Sequence, residues 1–233
     1  MRLFCLPFAG GGASAYRLWQ KEVQKGIDIC PIQLPGRETR MMEEPFTEMT
    51  RLVPAIAEAI KPLLDIPFAF FGHSMGALIS FELARYMRSV GQPSPVHLFL
   101  SGYQAPPRPN KAPAISHLSN QKFVEGLRQF KFTPESVLAN PEFLELLLPM
   151  LKADFSVYEN YEYKVEPGLS SPITVFGGDN DELTDHEDLD SWRNHTFDFQ
   201  GVFTFAGEHF YLMDQWKTLL HHISNTLLVS SSL

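Results

Sequence analysis

The sequence is poor in cysteine, with only Cys5 and Cys30 in 233 residues, both inside apolar runs. A disulfide framework needs more, and two thiols in such surroundings read as small buried hydrophobes. Long apolar runs are also missing. None approaches the roughly 18 to 20 residues that cross a bilayer. No signal-peptide pattern is visible, since Met1 and Arg2 lead straight into a short strand-like run, so a cytosolic location is expected. Basic residues are in the minority, 19 Lys and Arg against 27 Asp and Glu, for a net charge of −8. That balance repels nucleic acid and anionic membranes and excludes both as main partners. A monomer is expected. The 44% of hydrophobic residues suffices for a buried core in one domain.

What is present is an alternation of strand-like and helix-like segments. Apolar runs at 2–8, 27–34, 67–72, 96–100, 173–177 and 202–205 read as strands, most of them apolar throughout. Residues 15–23, 47–64, 75–90, 189–193 and 214–228 read as helices, the first capped by Ser14. Pro54 and Pro62 allow a kink or an earlier end in the second of these. The pattern predicts an α/β fold: a mainly parallel central sheet with helices on both faces. Residues 103–167 break the rhythm. They open with Pro106, Pro107 and Pro109, hold helical patterns at 120–129, 134–138 and 141–159, and show no strand. Such a length is too great for a plain connection. The expectation is one domain, 1–233, with a helical lid inserted at about 103–167 over the carboxyl ends of the strands.

The chemistry centres on Gly72-His73-Ser74-Met75-Gly76, a Gly-x-Ser-x-Gly segment between an apolar strand and a helix. That context suits a nucleophile elbow, with Ser74 as nucleophile and the Met75 N–H as an oxyanion donor. A serine hydroxyl needs a base, and in this arrangement an acid and then a histidine follow in the chain. His209 lies just past the last strand and is the expected base. His73 is expected to face elsewhere, and His97 to sit in the core or at an edge. Asp179, Asp181 and Glu182 compete for the acid after the strand at 173–177; Asp181 is preferred, with Asp179 the alternative and a turn role for the loser. The glycine-rich loop Phe8-Ala9-Gly10-Gly11-Gly12 should provide the second oxyanion donor, Ala9 N–H, with Phe8 as alternative. Its spacing matches neither phosphate-binding glycine motif. Arg37 and Glu38 read as a turn with an ion pair that braces the site.

The segments Leu6-Pro7-Phe8-Ala9-Gly10-Gly11, Gln33-Leu34-Pro35-Gly36-Arg37-Glu38, Phe71 to Ala77, Phe176-Gly177-Gly178 and His209-Phe210-Tyr211-Leu212 together resemble the type II thioesterases. These are the stand-alone editing enzymes of nonribosomal peptide and polyketide synthesis, within the α/β-hydrolase superfamily. The resemblance runs along essentially the whole chain. It implies hydrolysis of acyl or aminoacyl groups from the phosphopantetheine arm of carrier protein domains, through a Ser-His-Asp triad. It implies no metal and no cofactor, because the pantetheine belongs to the substrate. A basic docking patch for the carrier is expected around Arg108, Lys111, Lys122 and Arg128. The rivals are a carboxylester hydrolase acting on free small molecules, a thioesterase or cyclase domain of a larger synthase, and a non-catalytic binding module.

Overall fold

The computed structural model describes residues 1–129 and 138–230. Six strands form one sheet: β1 (Arg2–Leu6), β2 (Asp28–Pro31), β3 (Phe68–His73), β4 (Leu98–Ser101), β5 (Ile173–Gly178) and β6 (Phe199–Phe205). Their order is β2-β1-β3-β4-β5-β6 and every pairing is parallel. The chain starts at β1, steps outward to β2, then crosses back to β3 on the other side of β1. The direction of winding therefore reverses between β1 and β3. In open α/β sheets that switch point leaves a crevice at the carboxyl ends of the strands.

Strand alternation divides the core between the two faces. Phe4, Leu6 and Phe70 pack with helices α2 (Met49–Ile60) and α3 (Met75–Ser89). Leu3, Cys5, Ala69 and Phe71 pack on the opposite face, with α1 (Trp19–Glu22) and the last helix, α7 (Leu212–Ser230). All six residues of β3 are buried, as a central strand covered on both faces requires. In α2 the buried residues Met49, Leu52, Val53, Ile56 and Ile60 recur at helical spacing. Pro54 is accommodated inside α2, and a 3₁₀ turn at Lys61–Leu63 carries Pro62, so the helix ends earlier than its pattern suggests.

Two expected helices differ: one is broken into short turns and the other starts earlier and runs on as a 3₁₀ turn. The helix expected at 15–23 is a 3₁₀ turn, Ala13–Tyr16, followed by the single turn of α1. Ser14 is not its cap, because its N–H and hydroxyl both donate to the Glu38 carboxylate. The helix expected at 189–193 is α6 (His186–Asp190) plus a 3₁₀ turn, Ser191–His195. Asp185 starts α6 with a reciprocal capping box to Asp188, which fixes the start three residues before the apolar pattern begins.

Between β4 and β5 the chain builds α4 (Asn120–Gln129) and α5 (Pro141–Glu159). The helical segment expected at 134–138 lies, apart from Leu138, outside the described residues. Asn140 caps α5 by accepting from the Phe143 N–H at 3.1 Å. Ile115, Phe123, Leu127, Leu144, Leu151 and Phe155 give this segment a small apolar cluster of its own. No helix among the described residues is long and apolar enough to cross a membrane.

His97 is a core residue, stacked on Phe99 at 4.2 Å, with Nε2 2.8 Å from Thr174 Oγ1. Burial pushes its pKa down to about 4, outweighing the pull of Asp198 in the other direction. In the unfolded chain a histidine takes a proton near pH 6.5, at the ordinary value (about 6.5), while folded His97 stays neutral. The unfolded state thus binds more protons below that pH, and stability falls as pH falls. The urea midpoint is expected to be lower at about pH 5.5 than at about pH 7.5. His97→Gln should flatten that difference; an unchanged pH slope in the variant would contradict the assignment.

Candidate active site

Ser74 sits between β3 and α3 with φ 53° and ψ −120°, a conformation that an L-residue rarely adopts. The surrounding backbone holds it there. Ser74 N–H donates to Ser101 O at 2.7 Å, and the carbonyl of Ser74 starts the helix by accepting from Ala77 N–H at 2.9 Å. A Cβ at Gly72 would lie 2.0 Å from Gly76 O, and a Cβ at Gly76 would lie 2.3 Å from Leu6 O. Both glycines are therefore fixed by backbone contact, and α3 can leave the strand at a sharp angle only because they lack side chains. Ser74 Oγ is left without a hydrogen bond among the described residues and lines a cleft at the carboxyl end of the sheet.

His209 borders the same cleft, in the loop between β6 and α7. Its Nδ1–H donates to Asp181 Oδ2 at 2.8 Å. The Asp181 side chain is fully buried and also accepts from Leu183 N–H at 2.8 Å and Thr184 Oγ1–H at 2.7 Å. Burial pushes its pKa up, but the hydrogen bond and charge of His209, with the hydrogen bonds from Thr184 and Leu183, more than offset this and hold the carboxyl below its ordinary value. Asp179 does not reach the imidazole. Its Oδ1 accepts from Gly207 N–H at 2.9 Å and from Asn180 at 2.7 Å, which is the turn role. Glu182 lines a second opening beside the cleft.

The expected oxyanion donors flank Ser74. Met75 is the first residue of α3 and has no carbonyl one turn back within the helix. Ala9 follows β1, and β1 is hydrogen-bonded to β3, so the two expected donors lie past neighbouring strand ends across the switch point. Neither N–H is used by another acceptor among the described residues. Phe8 lines the cleft too, its ring 5.2 Å from that of Phe210.

His73 does not face elsewhere. It ends β3 beside Ser101 in the parallel register, and its ring lies 5.0 Å from that of His209. Its Nδ1 is 2.8 Å from Ser101 Oγ, which is 2.6 Å from the Tyr211 hydroxyl. Burial, then the neighbouring His209, push its pKa well below the usual histidine value. His73 is thus a neutral wall against the imidazole, a role that the alternation of a single strand does not reveal. The Arg37–Glu38 turn is likewise used differently: Arg37 pairs with Asp154 of α5, and Glu38 with Ser14. The expected docking patch is also altered. Arg108 pairs with Glu187 and Asp188, Lys111 with Asp185 and Asp188, and Arg128 donates to Leu138 O at 3.1 Å. Lys122 lies exposed on α4.

The cleft is closed on its far side by residues between β4 and β5, among them Tyr103, Pro113, Phe155 and Tyr158. Among the described residues no group of three or more His, Cys, Asp or Glu side chains could hold a metal ion. The elbow geometry predicts that Gly76→Ala forces α3 away from β1. The variant should lose about 1–3 kcal/mol of stability in urea unfolding. It should also lose on the order of 100-fold in turnover of an activated ester. Wild-type values for both would contradict the steric argument.

The thioesterase domain family matches residues 1–227. The gramicidin S biosynthesis protein GrsT of Aneurinibacillus migulanus is 48% identical over 227 residues, covering 97% of this chain and 89% of GrsT. Among solved structures, the RedJ thioesterase of the prodiginine biosynthetic pathway in Streptomyces coelicolor superposes with a TM-score of 0.89 at 34% identity, covering 97% of this chain and 89% of RedJ. ClbQ from the colibactin pathway superposes with a TM-score of 0.93 at 29% identity, covering 99% of this chain and 98% of ClbQ. With a match along nearly its whole length, this chain belongs to the thioesterase family and shares its α/β-hydrolase fold.

Proposed function

We propose that this chain is a type II editing thioesterase that hydrolyses acyl or aminoacyl thioesters from the phosphopantetheine arm of carrier protein domains. The observation that carries the reading is the buried Asp181–His209 hydrogen bond facing the same cleft as an unpartnered serine hydroxyl at an elbow. Relatives named for gramicidin S and prodiginine biosynthesis support the substrate class. In the reaction, His209 Nε2 takes the proton of Ser74 as its Oγ attacks the thioester carbonyl. The Met75 and Ala9 N–H groups stabilise the oxyanion. Asp181 holds the imidazole tautomer and stabilises the imidazolium. The sulfur leaves with the proton from His209, and a water deprotonated by His209 then releases the acid from Ser74. These steps call on no metal or cofactor of the protein.

The segment at 103–167 acts as a lid in this reading, because Tyr103, Phe155 and Tyr158 form the cleft wall facing Ser74. Arg108 and Lys111 have their charge neutralised locally, so a carrier, itself acidic, is met by other surfaces such as the exposed face of α4 that bears Lys122.

With a holo carrier protein bearing an acetyl thioester, Ser74→Ala should lower turnover by roughly 10⁵-fold or more. Retained turnover overturns the nucleophile assignment. If an acyl-pantetheine or a simple ester matches the carrier in kcat/KM, the free-ester hydrolase reading replaces this one. Asp181→Asn should cost on the order of 10³–10⁴-fold in kcat. Asp179→Asn should stay within about tenfold of wild type, since its amide oxygen can still hold the turn and it is not the partner of the base. The reverse ranking would move the acid to Asp179.

A further inference from the structure

Arg37 and Asp154 are 117 residues apart in the chain and form a bidentate ion pair, with Nη1–Oδ2 2.7 Å and Nη2–Oδ1 2.6 Å. Both side chains are almost completely buried, 4% and 3% exposed. A pair of this kind is a poor source of net stability, because both charges must be desolvated. Its remaining hydrogen bonds show what else it holds. Asp154 Oδ2 also accepts from Gly10 N–H at 2.8 Å, and Arg37 Nη1 also donates to Gly11 O at 2.9 Å. Arg37 Nε donates to Pro35 O at 3.3 Å, which anchors the guanidinium to its own loop after β2. The pair therefore holds the Ala9–Gly10 peptide through its N–H and the Gly11–Gly12 peptide through its carbonyl, one on each side of the Gly10–Gly11 unit.

A second contact runs between the same two elements. Gly10 has φ +79°, and a Cβ built on it would lie 2.7 Å from Leu151 Cδ2. Leu151 and Asp154 are three residues apart on α5 and so share one face of the helix. Ala9 itself packs against the apolar cluster of the inserted helices. The glycine-rich loop thus touches α5 through a hydrogen bond and an apolar contact, and Arg37, ion-paired to α5, bonds the same loop.

We propose that Arg37 and Asp154 are positioning residues that couple the placement of α5 to the oxyanion hole, by fixing the Ala9–Gly10 and Gly11–Gly12 peptides and through them the Ala9 N–H. This rests on the reading of Ser74 as nucleophile and of Ala9 as donor. When α5 is seated, Asp154 holds the loop so that the Ala9 N–H points into the cleft. If α5 moves outward, the loop loses its acceptor and its guanidinium clamp, and the donor loses its direction. The cost falls on the transition state, where the oxyanion exists, and not on ground-state binding.

The test uses Arg37→Met/Asp154→Leu, which replaces the pair by apolar side chains and leaves no unpaired buried charge. Asp154→Asn serves as the near-isosteric companion. Hydrolysis of acetyl-pantetheine and the affinity of a covalent boronic acid, which mimics the tetrahedral intermediate, are measured on both. The double variant should keep a cooperative unfolding transition. It should lose about 100-fold in kcat with KM within about threefold of wild type. Boronate affinity should fall by the same factor as kcat, with Asp154→Asn intermediate in both. A folded variant with wild-type kcat, or one whose kcat falls while boronate affinity holds, overturns the coupling. If the double variant does not fold, the same two measurements on Asp154→Asn decide. A fluorophosphonate that fails to label Ser74 in the wild-type protein overturns the underlying reading instead, so the two failures are distinguishable.

Discussion

The close approach of two backbones, at the crossing of β3, β1 and the start of α3, is the constraint on which the site depends. Gly72 meets Gly76, and Gly76 meets Leu6, at distances that exclude any side chain. That contact fixes where the helix begins. It therefore fixes the Ser74 torsions, the exposure of its hydroxyl and the direction of the Met75 N–H. A strained φ of 53° would relax in a free peptide. Here the Ser74 N–H is held by Ser101 of the next strand, so relaxation would break the β3–β4 register at its end. The strain is thus supported by a fully buried strand of the sheet, and the Ser74 hydroxyl gains a rigid mount on an element that cannot shift without unpacking both faces.

Around that mount, charge is handled unevenly. Asp181 is buried and fully hydrogen-bonded, so its negative charge persists next to the imidazole at neutral pH. On the other side of His209, His73 is buried and kept neutral, tied to Ser101 and Tyr211. A second cation there would oppose imidazolium formation; a neutral ring does not. The inserted helices add a further buried charge pair, Arg37–Asp154, whose other hydrogen bonds all go to loops at the carboxyl end of the sheet.

Much of this was legible in the sequence because it follows from period and spacing. The strands are apolar runs, and the helices after β3 and before β3 carry regular apolar spacing. Ser74 and His209 are marked by glycines and by position after a strand. What was not legible depends on which atoms meet across the chain. Ser14 looked like a helix cap, but Glu38, 24 residues away, takes its N–H and hydroxyl. Arg37 and Glu38 looked like partners of one another, but each finds another partner. His73 looked turned away, because no local pattern reveals that the ends of β3, β4 and the β6–α7 loop converge on it. Basic residues looked free on a charge count, yet Arg108 and Lys111 meet the acids of α6. Charge composition reports what is available and says nothing of what is already paired.

The two aspartates after β5 show the same limit at the smallest scale. They are two residues apart, so composition and distance from the strand cannot rank them. The backbone does. Asp179 N–H still pairs with Phe205 O, continuing the β5–β6 ladder by one step, and Asn180 N–H reaches Gly207 O. The chain therefore stays against the β6 end through Asn180, and the Asp179 carboxylate falls beside the Gly207 N–H. Only beyond that anchor can the chain turn inward, which brings Asp181 under the imidazole. Asp179 ties down the loop two residues before His209, and Asp181 ties down the ring. One acid sets where the histidine backbone lies and the other sets how its imidazole is aimed, so the closely spaced pair divides two tasks that a single carboxylate could not perform from one position.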